Sequence, residues 1–255
     1  MEEATQINKT AQGRPGSYFD GGVFQYLGWG ILSALVSFFT LGICSHFAIT
    51  WICAWEMKHT VIDGRRLKFT GTARGLFGTW IVSLLLCIVT LGIYGLWVPI
   101  KIMKWRDANT FFEDEVPTFD AEQRLREEKA SYFDGGLLQL IGVSILGSIV
   151  WSISLGICYP WAVDMFCSWE QEHKVYCKRR CTFNGRAVEL FGTWIVCILL
   201  TLITLGVGRL ELFGTWTWIV SLLLCIVTLG IYSLWLPIRI QRWKVKHTHL
   251  LPGCK

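Results

Sequence analysis

The fifteen residues Trp80–Tyr94 read WIVSLLLCIVTLGIY, and they recur without a change at Trp218–Tyr232. A diverged copy, WIVCILLTLITLGV, occupies Trp194–Val207. None of the three contains a charge, so each must be withdrawn from water, in a core or in a bilayer. Each also ends on Thr-Leu-Gly, and glycine after an apolar helical run is a helix stop.

Repetition extends well beyond this run and divides the chain. Ser17–Gly22 (SYFDGG) recurs at Ser131–Gly136, an offset of 114 residues. The offset holds through the LGIC of Leu41–Cys44 and Leu155–Cys158, Trp55-Glu56 and Trp169-Glu170, and the LFGTWIV of Leu76–Val82 and Leu190–Val196. Thereafter it becomes 138, because the second copy carries 24 extra residues. The division is a polar tail over 1–16, repeat unit one over 17–110 and an acidic linker over 111–130. Unit two follows over 131–248 with its 24-residue internal duplication, then a C-terminal tail over 249–255.

Composition selects between core and bilayer. Hydrophobic residues make up 53% and charged residues 17%, whereas a soluble domain carries about 25% charge. Fourteen tryptophans, many of them flanking the apolar runs, suit the headgroup level, where an indole has one apolar and one wet side. Seven of the ten cysteines lie inside apolar runs and read as small free hydrophobes rather than a disulfide framework. The N-terminus has no basic stretch leading into an apolar one, so no cleaved signal is expected. The net charge of +5 suits anionic headgroups, and no basic cluster interleaved with aromatics points to nucleic acid.

The expected fold is therefore an all-α integral membrane protein, a tandem repeat of helical hairpins with a small cytoplasmic β-hairpin in each repeat. Gly22–Leu41 supplies a first uncharged span of twenty residues, Cys44–His59 a return helix and Leu76–Leu91 the next span. Ile93–Asn109 completes the unit, with a kink expected at Pro99. Asp63-Gly64 between short alternating runs signals a hairpin; VYCKRRCTFNG, with its closing Gly185, takes its place in unit two. In the linker, Asp120 could cap a short helix over Ala121–Ala130.

Lys58, Arg65, Arg66, Lys68, Arg74, Lys101, Lys104 and Arg106 fall on one side if both hairpins of a unit enter from the cytoplasm, which also places the N-terminus there. The rival topology leaves the second helix of each hairpin interfacial. Eight or nine spans result, depending on whether the duplicated segment crosses.

The pattern resembles the YjgN-like family of bacterial inner-membrane proteins. The residues that carry the resemblance are Phe77-Gly78 opening a span, TLGIY at Thr90–Tyr94 closing it, Trp97 soon after, the basic helix that follows, and Phe-x-Gly at Phe69–Gly71 and Phe183–Gly185. Tyr159–Trp161 (YPW) is similar too. The Asp-Gly-Gly openings and the extra 24 residues depart from the family pattern. The resemblance implies a multi-span membrane protein, with no activity to carry over.

Candidate sites are few. Asp164 and His46 are ionisable groups inside apolar stretches, where such groups line pathways or pair; the plainer reading is an interfacial position. His173, Cys177 and Cys181 are spaced four apart and could hold zinc, although no fourth ligand is evident. Arg65, Arg66, Arg179 and Arg180 could bind lipid headgroups or simply mark the cytoplasmic side. Gln25 and Gln139 suit hydrogen bonds between helices, and Asp20 and Asp134 suit turns and caps.

No catalytic motif appears and no cofactor is implied. The expected function is that of a non-enzymatic structural or envelope-associated protein of the bacterial cytoplasmic membrane, with the lipid bilayer and further copies of itself as partners. The alternative is a small transporter or channel between the repeats.

Overall fold

The described residues form four modules in which a strand, two helices and a strand follow one another, two modules in each repeat. The computed structural model describes residues 16–115, 123, 130–207 and 235–251. Module one comprises β1 (Tyr18–Phe19), α1 (Val23–Phe39), α2 (Ser45–Lys58) and β2 (Thr60–Ile62). Module two comprises β3 (Arg65–Phe69), α3 (Ala73–Val89), a 3-10 turn (Ile93–Leu96), α4 (Val98–Ala108) and β4 (Thr110–Phe112). Module three has β5 (Tyr132–Phe133), α5 (Leu137–Ile153), α6 (Tyr159–Glu172) and β6 (Lys174–Tyr176). Module four has β7 (Arg179–Phe183), α7 (Ala187–Val207), α8 (235–246) and β8 (Thr248–Leu250). Residues 208–234, which hold the second exact copy at Trp218–Tyr232, and most of the proposed linker helix lie outside the described residues.

The same residues start and stop every module. Phe19, Phe69, Phe133 and Phe183 each precede a glycine by two positions, and a tryptophan of the module's second helix closes edge-on over the phenylalanine ring. Ring centroids lie 5.2–5.6 Å apart, the favoured edge-to-face geometry. A Cβ on Gly135 would stand 2.3 Å from the Phe133 ring and 2.9 Å from Trp169, so only glycine lets the rings meet. Four residues after each tryptophan, His59, Asn109, His173 or His247 bonds back to the tryptophan carbonyl at 2.7–2.9 Å and ends the helix.

At the far end of the hairpins, Leu41, Leu91 and Leu155 adopt left-handed φ values of 48–50°, each followed by a glycine at 83–91°. Leucine rarely takes this conformation. The hydroxyls of Thr40, Thr90 and Ser154 hold it, each donating to the carbonyl four residues back and accepting from the amide four residues on. These turns consume the far end of each apolar run. The twenty-residue span expected over Gly22–Leu41 is a 17-residue helix, rising about 25 Å against a hydrocarbon core of ~30 Å.

The all-α integral membrane fold is thus overturned on two counts. No helix among the described residues is long and apolar enough to cross a membrane. The expected hairpins are also the centres of two antiparallel four-stranded sheets, ordered β1-β2-β3-β4 and β5-β6-β7-β8. The outer strands are two or three residues long, too short for alternation to reveal them. Pro99 does not kink a helix; it lies in the first turn of α4, where its missing N–H costs nothing. Asp63-Gly64 makes the expected turn, with both φ positive. In repeat two, Cys177 and Lys178 take positive φ instead, tied down by Cys177 N–H to Ser131 Oγ and Lys178 N–H to Ala130 O.

The two sheets share one core, formed by Ile62, Leu67 and Phe112 from the first and Tyr176 and Cys181 from the second, with Met57. The repeats also exchange helices. Ile100 of α4 packs on Phe133, Leu140 and Trp169 of repeat two, while Ile238 and Val245 of α8 pack on Phe19 and Trp55 of repeat one. At the joint, Ser17 Oγ donates to Thr248 O at 2.7 Å, and Asp63 accepts from the Leu250 amide and faces His249.

Candidate functional site

Helix exchange brings the residue after each module's tryptophan to a common place. That residue is acidic in modules one and three (Glu56, Glu170) and basic in modules two and four (Arg106, Lys244). Arg106 reaches Glu170 at 3.0 Å across the repeats, and Lys244 reaches the other Glu170 oxygen at 3.3 Å. Lys174, four residues on at the start of β6, joins the same carboxylate at 2.8 Å. Asp107, wholly buried, balances Arg106 and accepts from the Tyr176 hydroxyl at 3.1 Å. Gln241 donates to Glu56, the sixth charge of the group. Three acids thus face three bases.

Burial acts most strongly on Glu170 and would push its carboxyl up, but Lys174, Lys244 and Arg106 together hold it well below the usual carboxylate range. Burial likewise disfavours the Lys244 ammonium, while Glu170 and Glu56 reverse the effect and raise its pKa. A buried group of this kind locks register between elements and is costly to break. Its signal, an acid or base alternating after four recurrent tryptophans, was present in the sequence. Reading the chain as two units rather than four modules hid it.

Beside this cluster lies a cleft of about 490 Å³ between α5, α6 and α8. Its walls are apolar, and Glu170 and Lys244 lie at its polar end.

The residues singled out in the sequence are scattered. Arg66 pairs with Asp20 and Arg180 with Asp134 at 2.9 and 2.6 Å, so the two aspartates are ion-pair partners rather than helix caps. Asp134→Asn is expected to cost only about 0.2–1 kcal/mol, read as a small shift in thermal midpoint that vanishes at high salt. Arg65 bonds Asp114 and lies over the Phe112 ring at 4.2 Å, and Arg179 also has interactions.

His46 is buried against Phe47 and Phe77 with Nδ1 on the Ile43 carbonyl. Asp164 is partly buried, which raises its carboxyl pKa; the Ala187 backbone at the start of α7 and His247 oppose the shift. His173 bonds Trp169 O, and burial pushes the Cys181 thiol up to about 12. Among the described residues no three His, Cys, Asp or Glu side chains are grouped to hold a metal ion. Gln25 accepts from Trp55 Nε1 across α1 and α2 as expected, whereas Gln139 turns back to accept from Gly136 N–H.

The YjgN-like resemblance rests on the Leu-Gly turns, the Phe-x-Gly motifs and the basic helix that now appears as α4. Residues 64–123 and 209–252 match one family model. The family is that of a bacterial protein of unknown function (DUF898). The first stretch runs from the Asp63-Gly64 turn through module two, and the second covers the equivalent part of module four. The DUF898 match therefore falls on the modules that supply Arg106 and Lys244. No curated protein and no solved structure matches the chain significantly.

Proposed function

We propose that this bacterial protein is a non-enzymatic component of the cytoplasmic membrane that embeds its hairpin tips in the bilayer, with no helix required to cross it. The observation that supports this is the composition of the tips. Leu41, Leu91 and Leu155 are 89, 94 and 91% exposed, and Phe38, Phe39, Val89, Ile93 and Ile153 surround them with no charge among them. Three apolar tips of this kind in water would be an aggregation liability; in acyl chains they are at home. At the opposite end, the exposed Lys58, Lys68, Lys178 and Lys246 lie in or beside the sheets, where anionic headgroups would meet them.

Flotation with vesicles containing anionic lipid tests the reading. Wild type should float with the vesicles, and the triple variant Leu41→Glu, Leu91→Glu, Leu155→Glu should lose at least tenfold in bound fraction with its circular dichroism unchanged. Equal flotation of both proteins, or none by wild type, would sink the proposal. A proton-coupled carrier would need a buried group that changes charge as cargo passes, and the charges of the Glu170 cluster are instead fixed by one another, which favours a structural role for that cluster.

A further inference from the structure

The wall of the cleft between α5, α6 and α8 carries Val143, where repeat one places a tryptophan. In repeat one, Trp29 leans on Trp51 between α1 and α2, ring centroids 6.1 Å apart. The equivalent residues of repeat two are Val143 and Met165. Val143 lines the cleft with Ser148, Trp151, Ala162 and Phe166. The Ser148 hydroxyl donates to the Ser144 carbonyl of its own helix, which satisfies that polar group of the wall internally.

Charge enters only at one end. There the Glu170 oxygens already accept from Arg106, Lys174 and Lys244. Lys244 Nζ, by contrast, has three N–H donors and gives one of them to Glu170. Among the described residues no other acceptor takes its remaining donors, which can meet an oxygen anion arriving along an apolar wall.

We propose that this cleft binds one fatty acid, its chain along α5 and its carboxylate on Lys244 Nζ. The volume of about 490 Å³ is in the range of small-molecule sites and suits one chain rather than the paired chains of a phospholipid. The inference draws on the bilayer reading only for the source of the ligand.

The full-length protein, purified and held in amphipol, is titrated with cis-parinaric acid, whose fluorescence rises on binding. Saturable binding of one probe per chain is expected. Val143→Trp, which copies repeat one, should weaken it at least tenfold while leaving the thermal midpoint and vesicle flotation at wild-type values. Lys244→Gln should weaken parinaric acid several-fold but not the corresponding alcohol. Palmitate should displace the probe; displacement by lysophosphatidylglycerol alone would overturn the carboxylate assignment. Non-saturable binding, or unchanged binding by Val143→Trp, would overturn the site. Because flotation reads the hairpin tips and the probe reads the cleft, the two proposals fail separately.

Discussion

Glu170→Gln is expected to destabilise the protein by about 3–5 kcal/mol, the range for removing one partner from a buried ion group. The substitution keeps shape and deletes charge. It leaves Arg106, Lys174 and Lys244, which now share that carboxylate at 3.0, 2.8 and 3.3 Å, with an uncompensated surplus inside the joint between repeats. Unfolding followed by tryptophan fluorescence in a fixed detergent measures the loss. Adding Lys244→Met to Glu170→Gln should return part of it, since one unpaired cation disappears; a strictly additive double variant would show that the two side chains do not couple.

The same carboxylate sets a pH dependence. Its folded pKa lies well below the unfolded one, so its contribution is complete above the ordinary glutamate value of about 4.3. That contribution is lost as pH falls from there through the depressed folded value. Wild-type stability should therefore hold from neutrality to about pH 5 and decline on further acidification. Glu170→Gln should show a shallower decline, and equal slopes in the two proteins would assign the acid sensitivity elsewhere.

Trp169→Ala should cost about 3–5 kcal/mol. Trp169 is buried between Phe133 and His173 and meets α4 through Ile100, so its loss opens a cavity at the base of module three and at the exchange contact together. Its indole N–H has no partner among the described residues, so the ring's volume, not a hydrogen bond, carries the effect. Trp169→Phe should accordingly cost only about 1–2 kcal/mol. Near-equal losses for Ala and Phe would show that the N–H matters after all. Trp55→Ala should resemble Trp169→Ala, because Phe19 and α8 surround it in the same way.

The candidate sites show where local reasoning stops. Asp20 and Asp134 read as caps because Asp-Gly-Gly before a helix suffices for one. Their guanidinium partners lie 46 residues away, on strands whose pairing no local pattern sets. Glu170 could be seen as half of a repeated Trp-Glu, but not as the meeting point of cations from three elements. The twenty-residue apolar count misled differently. It treated Leu41 as the end of a span, when Leu41 and Gly42 turn the chain through left-handed backbone.

What the sequence alone determined is whatever rests on neighbours in the chain. It set the repeat and its 24-residue insertion, the helical hairpins that turn at Leu-Gly, the Asp63-Gly64 turn and the family resemblance. Each depends on bonds spanning five residues or fewer, or on a copied string. Tertiary structure decided the remainder: four modules rather than two units, sheets completed by strands of two or three residues, and the exchange of α4 and α8. From that exchange follow the charge cluster and the cleft, because complementary charges and matched rings act only once distant segments have been brought together. The repeated Trp-Ile-Val run supplies the first helices of modules two and four; the single residues after the four tryptophans hold the repeats to one another.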